Sequence, residues 1–179
     1  MKSNLIEKKD RIRPDGLSKV TGDLKYLTDL TFPNMLYGKV LRSKYPHAKI
    51  LSINTEKAES IPDVEAVLTH KDVPGMNRFG IIIADQPVFC EDRVRYIGDA
   101  IAAVAAQSFE LAEEALKHIE VVYEELPILD SPDKALEPDA IRLYPAGNIC
   151  SRSSFQNGDV HQAFEECVAI VEETYELPR

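Results

Sequence analysis

The sequence has 179 residues, of which 44% are apolar and 28% are charged. This composition is typical of a soluble globular protein with one domain, or one domain and part of a second, and disfavours a disordered chain. The net charge of −9 disfavours nucleic-acid binding, because a phosphate-tracking surface needs clustered lysine and arginine. No apolar run approaches about 18 residues and the amino terminus lacks a signal-peptide core, so we expect no membrane span and a cytoplasmic location.

The first half of the chain predicts short strands separated by turns. Residues 1–12 are polar, and we expect them to be frayed. Turn signals follow at residues 13–16 and 20–23. Strands are predicted at residues 36–42, 48–53, 64–69 and 94–97, with a short helix over residues 55–60 after the capping residue Asn54 and a loop or edge strand at residues 81–83.

A strand–helix–strand unit is predicted next. The apolar run over residues 100–106 indicates a strand buried on both faces. Ser108 is expected to cap a helix that continues to His118, with a Glu113–Lys117 ion pair on its outer face. The apolar face of this helix is predicted to consist of Ala112, Ala115, Leu116 and Ile119. Residues 119–124 predict the second strand, and the unit should be right-handed if both strands are parallel in one sheet.

The last third of the chain changes character. Residues 126–147 contain four prolines and little periodicity, which predicts an extended connection across a surface. The capping-box pattern of residues 159–162 predicts a helix to about Glu166, and residues 168–177 predict a final strand. One helix and one strand cannot bury a core alone. We therefore expect residues 148–179 to be the start of a second domain.

Patterns for catalytic or cofactor sites are missing from the sequence. Glycine-rich nucleotide loops, a nucleophile elbow and a His-Glu-x-x-His pair are absent. The cysteines Cys90, Cys150 and Cys167 are far apart, and we interpret them as reduced, mostly buried thiols rather than as disulfides or iron–sulfur ligands. We therefore predict no catalytic, cofactor-binding or metal-binding residue in this chain.

Isolated polar residues have structural interpretations. The histidines are spread along the chain as His47, His70, His118 and His161. We expect a backbone hydrogen bond for His47, in a turn after Pro46, and a favourable helix C-terminal position for His118. Adjacent acids at residues 91–92, 124–125 and 172–173 are interpreted as solvated carboxylates, and Arg93 with Arg95 as a structural pair. From the residues alone the chain is an α+β domain with the start of another, and a binding or interaction module stays as open as an enzyme.

Four stretches, taken in order, resemble one protein family. They are DGLSKVTG (15–22) with Tyr26 and residues 29–30, LYGKVLRS (36–43) with PHAKI (46–50), RVRYIGD (93–99) before the alanine-rich strand, and VYEELP (122–127). From about Arg11 to Arg179, the chain resembles the amino-terminal α/β-hammerhead domain of the aldehyde oxidase and xanthine dehydrogenase molybdenum subunits. The resemblance implies a mixed sheet with packed helices over residues 13–125, the connection at 126–147, and a truncated molybdenum-cofactor-binding domain starting at 148–179.

The resemblance also implies an activity for the parent enzyme. Members hydroxylate a carbon next to nitrogen, or an aldehyde, with oxygen from water. The implied cofactors are molybdopterin, in its cytosine dinucleotide form, with iron–sulfur clusters and FAD on other domains or subunits. The implied partners are the remaining molybdenum-subunit domains, the iron–sulfur and FAD subunits, and a small purine substrate, with no nucleic acid and no membrane.

The substrate class is the least constrained part of the resemblance. Residues 78–80 with residues 85–88 look most like xanthine dehydrogenase members. Aldehyde, nicotinate and carbon monoxide dehydrogenases remain alternatives, as does a free-standing binding module without enzymatic function. The family's cofactor loop and active-site glutamate are expected beyond Arg179, so no residue role is carried onto this chain.

Overall fold

The computed structural model describes residues 13–81 and 83–177. The chain divides into two compact units, Met1–Ile128 and Leu129–Arg179. The segment 1–12, which we predicted to be frayed, lies outside the described residues. In the described part of the chain, no helix is long and apolar enough to cross a membrane.

The first unit holds six strands and three helices among its described residues. The strands are β1 (Tyr37–Arg42), β2 (Ala48–Asn54), β3 (Val64–Leu68), β4 (Arg93–Val94), β5 (Ala100–Ala106) and β6 (Glu120–Glu125). The helices are α1 (Gly16–Thr21), α2 (Glu56–Glu59) and α3 (Phe109–Leu116), with a 3-10 turn at Leu27–Asp29. The second unit holds α4 (Pro132–Leu136) and α5 (Val160–Glu165). The sequence correctly predicted the positions of four strands and two helices, namely β1, β2, β3, β5, α2 and α3.

The strands form two antiparallel three-stranded sheets, in the orders β1–β5–β3 and β4–β2–β6. Strand β5 pairs with β1 on one side and β3 on the other, so both of its edges are occupied. Strand β6 therefore pairs with β2 in the second sheet, from Ala48↔Glu125 to Asn54↔Glu120. The α+β class is confirmed, but β5–α3–β6 is not a parallel unit within one sheet.

Strand β5 lies between two hydrophobic clusters, which confirms its predicted burial on both faces. Ala102, Val104 and Ala106 pack with the buried alanines of α3. Ile101, on the opposite face, packs with Ala48, Cys90 and Val94. Alanine has no side chain beyond Cβ, so α3 approaches the strand closely. The two clusters hold both sheets and α3 around this one strand.

Helix α3 begins as its sequence indicates. The Ser108 side chain accepts a hydrogen bond from Leu111 N at 3.1 Å, which satisfies one free amide of the first turn. The expected Glu113–Lys117 pair is not the one that forms. Lys117 Nζ contacts Glu114 at 2.7 Å, whereas Glu113 lies 4.0 Å from Lys39 Nζ. Lys117 thus pairs with Glu114 at i,i+3 spacing, and Glu113 pairs with Lys39 of the neighbouring strand β1.

Two other predictions are corrected in the first unit. Turns were expected at residues 13–16 and 20–23, but Gly16–Thr21 form α1, which is closed by Gly22 in the left-handed conformation (φ 79°). The strand predicted at 94–97 is shortened to β4, because the Asp99 carboxylate binds the Arg95 amide at 2.8 Å and turns the chain. Around the predicted loop, Phe79 and Gln86 form an isolated antiparallel bridge.

Two further corrections fall in the second unit. Residues 126–147 were expected to be extended, but Ser131 caps α4 by accepting from Lys134 N at 3.2 Å. The Asn148 side chain then donates to Ala135 O and Ile141 O, which folds this stretch back on itself. Helix α5 forms where it was predicted, with Asp159 as its cap, but no strand is formed over residues 168–177.

Candidate functional site

A network of hydrogen bonds lies where β1 ends and β5 begins. We refer to Arg42, Ser43, Arg95, Gly98 and Asp99 as the Asp99 junction. Ser43 N donates to Asp99 O at 2.8 Å, and Gly98 N donates to Ser43 O at 2.9 Å. The Arg42 guanidinium donates to Gly98 O at 2.8 Å. Gly98 has a φ of 99°, a conformation that favours glycine, so this residue type is required at the turn.

The Asp99 carboxylate is the buried charge of this junction, only 5% exposed. It accepts the 2.8 Å hydrogen bond from Arg95 N. Burial, together with the charge of Asp99 beside it, raises the pKa of the Cys90 thiol to about 12. Burial and the same carboxylate also raise the pKa of Tyr96. Because their pKa values are raised, both groups stay protonated at neutral pH, so Cys90 is a structural thiol and not an activated nucleophile.

His47 forms a second buried link, at the start of β2. The side chain is 2% exposed, and its Nδ1 lies 2.6 Å from Pro127 O. A carbonyl only accepts, so Nδ1 carries the proton. Leu126 N donates to His47 O at 3.0 Å, and the chain after β6 is thus fixed to β2. The predicted backbone hydrogen bond of His47 is confirmed, while its Nε2 is buried without a partner among the described residues.

The remaining polar residues singled out by the sequence do not gather at one place. His118 lies 3.7 Å from Glu114, where both side chains are about half exposed. Glu91 pairs with Arg78, and Glu124 pairs with Lys49. Because each of these two carboxylates forms an ion pair with a different cation at the surface, the two do not form an acid–base dyad.

All three cysteines are free thiols, as predicted, but the prediction that they are mostly buried holds for only one of them. Cys90 is buried, whereas Cys150 and Cys167 are exposed. Both exposed thiols belong to the second unit, where few apolar residues are buried. The sequence-based expectation of mostly buried thiols is therefore wrong for two of them.

The described residues of the first unit line open clefts of mixed polar and apolar character. One cleft of about 340 Å³ is lined by Thr55, Glu59, Thr69, His70 and Asp72, among others. The Asp72 carboxylate in this cleft already accepts hydrogen bonds from the Thr69 amide and hydroxyl, and these bonds lower its pKa. A second cleft, of about 600 Å³, lies among Phe32, Leu36, Tyr37, Glu65 and Gln107.

The described residues show neither a cluster of metal ligands nor a single glycine-rich loop. Within residues 13–81 and 83–177, no three His, Cys, Asp or Glu side chains are placed to hold a metal ion. Glycines with positive φ are scattered at Gly22, Gly75, Gly98, Gly147 and Gly158 rather than arranged as one phosphate-binding loop. We derive no catalytic step through a molybdenum cofactor or an iron–sulfur cluster in this chain.

Exposed apolar side chains are the most distinctive surface feature. In the first unit they cluster in sequence before β1, where helix α1 has no buried residue and Leu17, Val20, Leu27 and Phe32 are 65–86% exposed. In the second unit they include Leu136, Phe155 and the segment after α5. Single exposed apolar residues are ordinary, but contiguous sets mark interaction surfaces. These exposed apolar residues are candidates for contacts with other protein surfaces.

Comparison with known families decides the identity of the domain. The family described as "Aldehyde oxidase and xanthine dehydrogenase, a/b hammerhead domain" matches residues 21–127. The chain belongs to this family. The hammerhead assignment made from four short motifs is confirmed, and the match covers all six strands and α3.

Relatives of this hammerhead domain are much longer proteins. A probable xanthine dehydrogenase subunit of Bacillus subtilis (strain 168) is 64% identical over 98% of this chain and 24% of its own length. The large molybdopterin subunit of nicotinate dehydrogenase from Eubacterium barkeri is 46% identical over 96% of this chain and 40% of its own length. The chain therefore spans about a quarter to two-fifths of the length of these two relatives.

Solved structures show the same hammerhead fold. Quinoline 2-oxidoreductase from Pseudomonas putida 86 superposes with a TM-score of 0.77 at 32% identity, covering 88% of this chain and 21% of that one. Aldehyde oxidoreductase from Desulfovibrio gigas gives a TM-score of 0.71 at 38% identity, covering 74% of this chain and 16% of that one. The fold, including its two small sheets, is thus shared with domains of larger oxidoreductases.

Sequence reasoning missed the Asp99 junction. The motif RVRYIGD contributed to the family resemblance, but Asp99 was not singled out as a buried charge. A usable signal was present, since a Gly-Asp pair stood directly before a continuous apolar strand. Arg42 and Ser43, which bond to Gly98 and Asp99, lie more than fifty positions earlier in the chain. No local sequence pattern therefore connects them to this pair.

Proposed function

We propose that this chain is the hammerhead part of the molybdenum subunit of a xanthine dehydrogenase-type hydroxylase. It acts there as a structural and interaction domain, while the catalytic centre is built by other parts of the enzyme. The observation that carries this proposal is the 64% identity, over 98% of the chain, with the probable xanthine dehydrogenase subunit of Bacillus subtilis. The closed network at Asp99 and the exposed apolar surfaces support a bracing role.

The proposed reaction is hydroxylation of a purine-type N-heterocycle with an oxygen atom from water. A purine substrate is supported by two Escherichia coli proteins that are named as xanthine dehydrogenase molybdenum-binding subunits and are 33% and 32% identical to this chain. Nicotinate is the second candidate substrate, because the nicotinate dehydrogenase subunit is 46% identical. Both candidates are N-heterocycles, so one reaction class covers them.

The proposed assembly contains further components. Molybdopterin, in its cytosine dinucleotide form, supplies the oxygen-transfer and redox chemistry when it is bound elsewhere in the enzyme. Iron–sulfur clusters and FAD on other domains or subunits carry the electrons away, and the enzyme works in the cytoplasm. Within this chain we assign residues 13–125 to the hammerhead domain, 126–147 to a connection, and 148–179 to the start of the cofactor-binding domain.

Affinity purification of the native complex tests this function. An epitope tag is placed on this chain in the cells that produce it, and the purified material is analysed for molybdenum, iron and flavin. Turnover is then compared for xanthine, nicotinate, an aldehyde and carbon monoxide, and the product is formed in ¹⁸O-labelled water. Molybdenum with xanthine turnover and ¹⁸O in the product is expected. A tagged chain recovered without molybdenum and without turnover would identify a free-standing binding module and overturn the proposal.

A further inference from the structure

An asparagine–glycine pair lies just before α5 in the second unit. Asn157 and Gly158 are both exposed, and neither belongs to a helix or a strand. Within residues 13–81 and 83–177, the Asn157 side chain and the Gly158 backbone amide form no hydrogen bond. The side-chain amide of Asn157 and the backbone nitrogen that follows it are therefore not held apart by other partners.

Glycine removes the steric barrier to a reaction between these two groups. A β carbon on residue 158 would stand beside the backbone nitrogen and crowd its approach to the Asn157 side chain. Gly158 also has a φ of 75°, in the left-handed region that residues with a β carbon rarely adopt. Apart from its chain neighbours, no described heavy atom lies within 4 Å of the place that a β carbon would take. The surrounding protein thus leaves this turn room to rearrange.

The other described asparagines lack this combination. None of the four, Asn34, Asn54, Asn77 and Asn148, is followed by glycine. The Asn77 and Asn148 side chains are each held by at least two hydrogen bonds to the backbone. The Asn54 side chain accepts a hydrogen bond from a backbone amide at 3.0 Å. Only Asn157 joins an unrestrained side-chain amide to a following glycine in the described part of the chain.

Asp15 and Gly16 form the closest comparable pair, but their contacts disfavour the same reaction. The Asp15 carboxylate lies 2.9 Å from Lys19 Nζ and 2.6 Å from Arg13 Nε, and hydrogen bonds from these two cations lower its pKa. An ionised carboxylate is a poor target for a nucleophile, because it already carries negative charge. Gly16 N is also occupied, since it donates to Arg13 O at 2.9 Å.

We propose that Asn157 is a site of spontaneous deamidation, through a cyclic imide that it forms with Gly158. The Gly158 nitrogen loses its proton and bonds to Cγ of Asn157. The bond from Cγ to Nδ2 then breaks, and the nitrogen leaves as ammonia after taking up a proton. Water opens the ring, giving aspartate by addition at Cγ and isoaspartate by addition at the backbone carbonyl carbon. One water is consumed and one ammonia released, so the reaction needs no oxidant or reductant.

The modification changes both charge and chain path beside α5. Either product replaces a neutral amide with a carboxylate, and this one added charge takes the net charge of the chain from −9 to −10. Isoaspartate also inserts its side-chain carbon into the main chain, two residues before the capping residue Asp159. This inference does not depend on the proposed function, because the reaction requires only the two residues and water.

Peptide mapping by mass spectrometry on the tagged, purified enzyme tests the reaction. The enzyme is incubated at mildly alkaline pH in ¹⁸O-labelled water and then digested in unlabelled water. Residue 157 should accumulate as labelled aspartate and isoaspartate. Asn77 and Asn148 should convert at least about tenfold more slowly, because their hydrogen bonds must break before a ring can close. An unchanged Asn157, under conditions that convert an unfolded peptide of the same sequence, overturns the proposal, and so does equal conversion at the three asparagines.

Three variants identify the chemistry. Asn157→Gln retains an amide but requires a larger ring, and Gly158→Ala places a β carbon beside the attacking nitrogen, so both should slow conversion at residue 157 at least about tenfold. Gly75→Ala changes another glycine of positive φ, which follows a proline, and this control should leave conversion unchanged. Rapid conversion of Gly158→Ala to aspartate without isoaspartate would show direct hydrolysis and reject the imide. An enzyme that contains molybdenum and turns over substrate, but keeps Asn157 intact, refutes this inference while the proposed function stands.

Discussion

Removing the buried carboxylate of Asp99 is the sharpest test of the structural role assigned to the first unit. In Asp99→Ala the Arg95 amide, which is partly buried, loses its 2.8 Å acceptor, the buried Asp99 carboxylate. Hydrogen bonds to charged groups contribute about 1.5–3 kcal/mol, and an unsatisfied buried donor costs about 1–3 kcal/mol. These two ranges describe the same loss and are not added, so we expect the free energy of unfolding to fall by about 1.5–3 kcal/mol.

Urea denaturation followed by circular dichroism measures this loss. For a slope of about 2 kcal/mol per molar urea, the midpoint should fall by about 0.8–1.5 M. Asp99→Asn retains an acceptor oxygen at the same place, and we expect it to lose less stability than Asp99→Ala. Asp139→Ala removes an exposed carboxylate from the second unit and is the matched control.

Segment-resolved hydrogen exchange identifies where the stability is lost. The Asp99→Ala variant should show faster exchange in β1, β4 and β5, because the junction joins the ends of these strands. Exchange in α4 and α5 should not change. A loss below about 0.5 kcal/mol for Asp99→Ala, the size typical of an ordinary surface substitution, would refute the assigned role of the junction.

Three further predictions follow from single contacts. Iodoacetamide should label the two exposed cysteines of the native chain but not Cys90. The free energy of unfolding should also fall as the pH rises from about 9 toward about 12, because the Cys90 thiol ionises in the unfolded chain before it ionises in the folded one. Cys90→Ala should remove this part of the pH dependence, and native labelling of Cys90 would contradict its burial. Ser108→Ala should cost about 1 kcal/mol by removing the α3 cap, whereas Ser60→Ala, whose hydroxyl only donates to Lys57 O, should cost less. In the assembled enzyme, Leu129→Ser and Leu136→Ser should lower molybdenum content more than they lower the stability of this chain, and full loading with unchanged turnover would reject the bracing role.

Local sequence patterns predicted several elements of the first unit correctly. The run over residues 100–106 gave the limits of β5, and Ser108 marked the start of α3. His47 was predicted to bond the backbone from its position after Pro46 alone. These predictions succeed because periodicity, capping and turn preferences act over a few residues.

Predictions failed where a distant residue overrides a local preference. Residues 94–97 have strand propensity, but the Asp99 side chain captures the Arg95 amide and ends β4 at Val94. Residues 132–136 appeared extended between prolines, but the Ser131 cap starts a helix there. Proline at the first helical position is compatible with a helix, since its missing amide would be unpaired anyway.

The sequence by itself determined the family, the α+β class, the limits of β5 and the buried face of α3. Tertiary structure alone decided that β5 and β6 belong to different sheets, and that Asp99 is buried beside Cys90 at the junction of β1 and β5. Strand pairing and burial depend on contacts between residues far apart in the chain, such as Arg42 with Gly98. The preferences of neighbouring residues do not contain this information, because which edges are free is settled only when all the strands have packed.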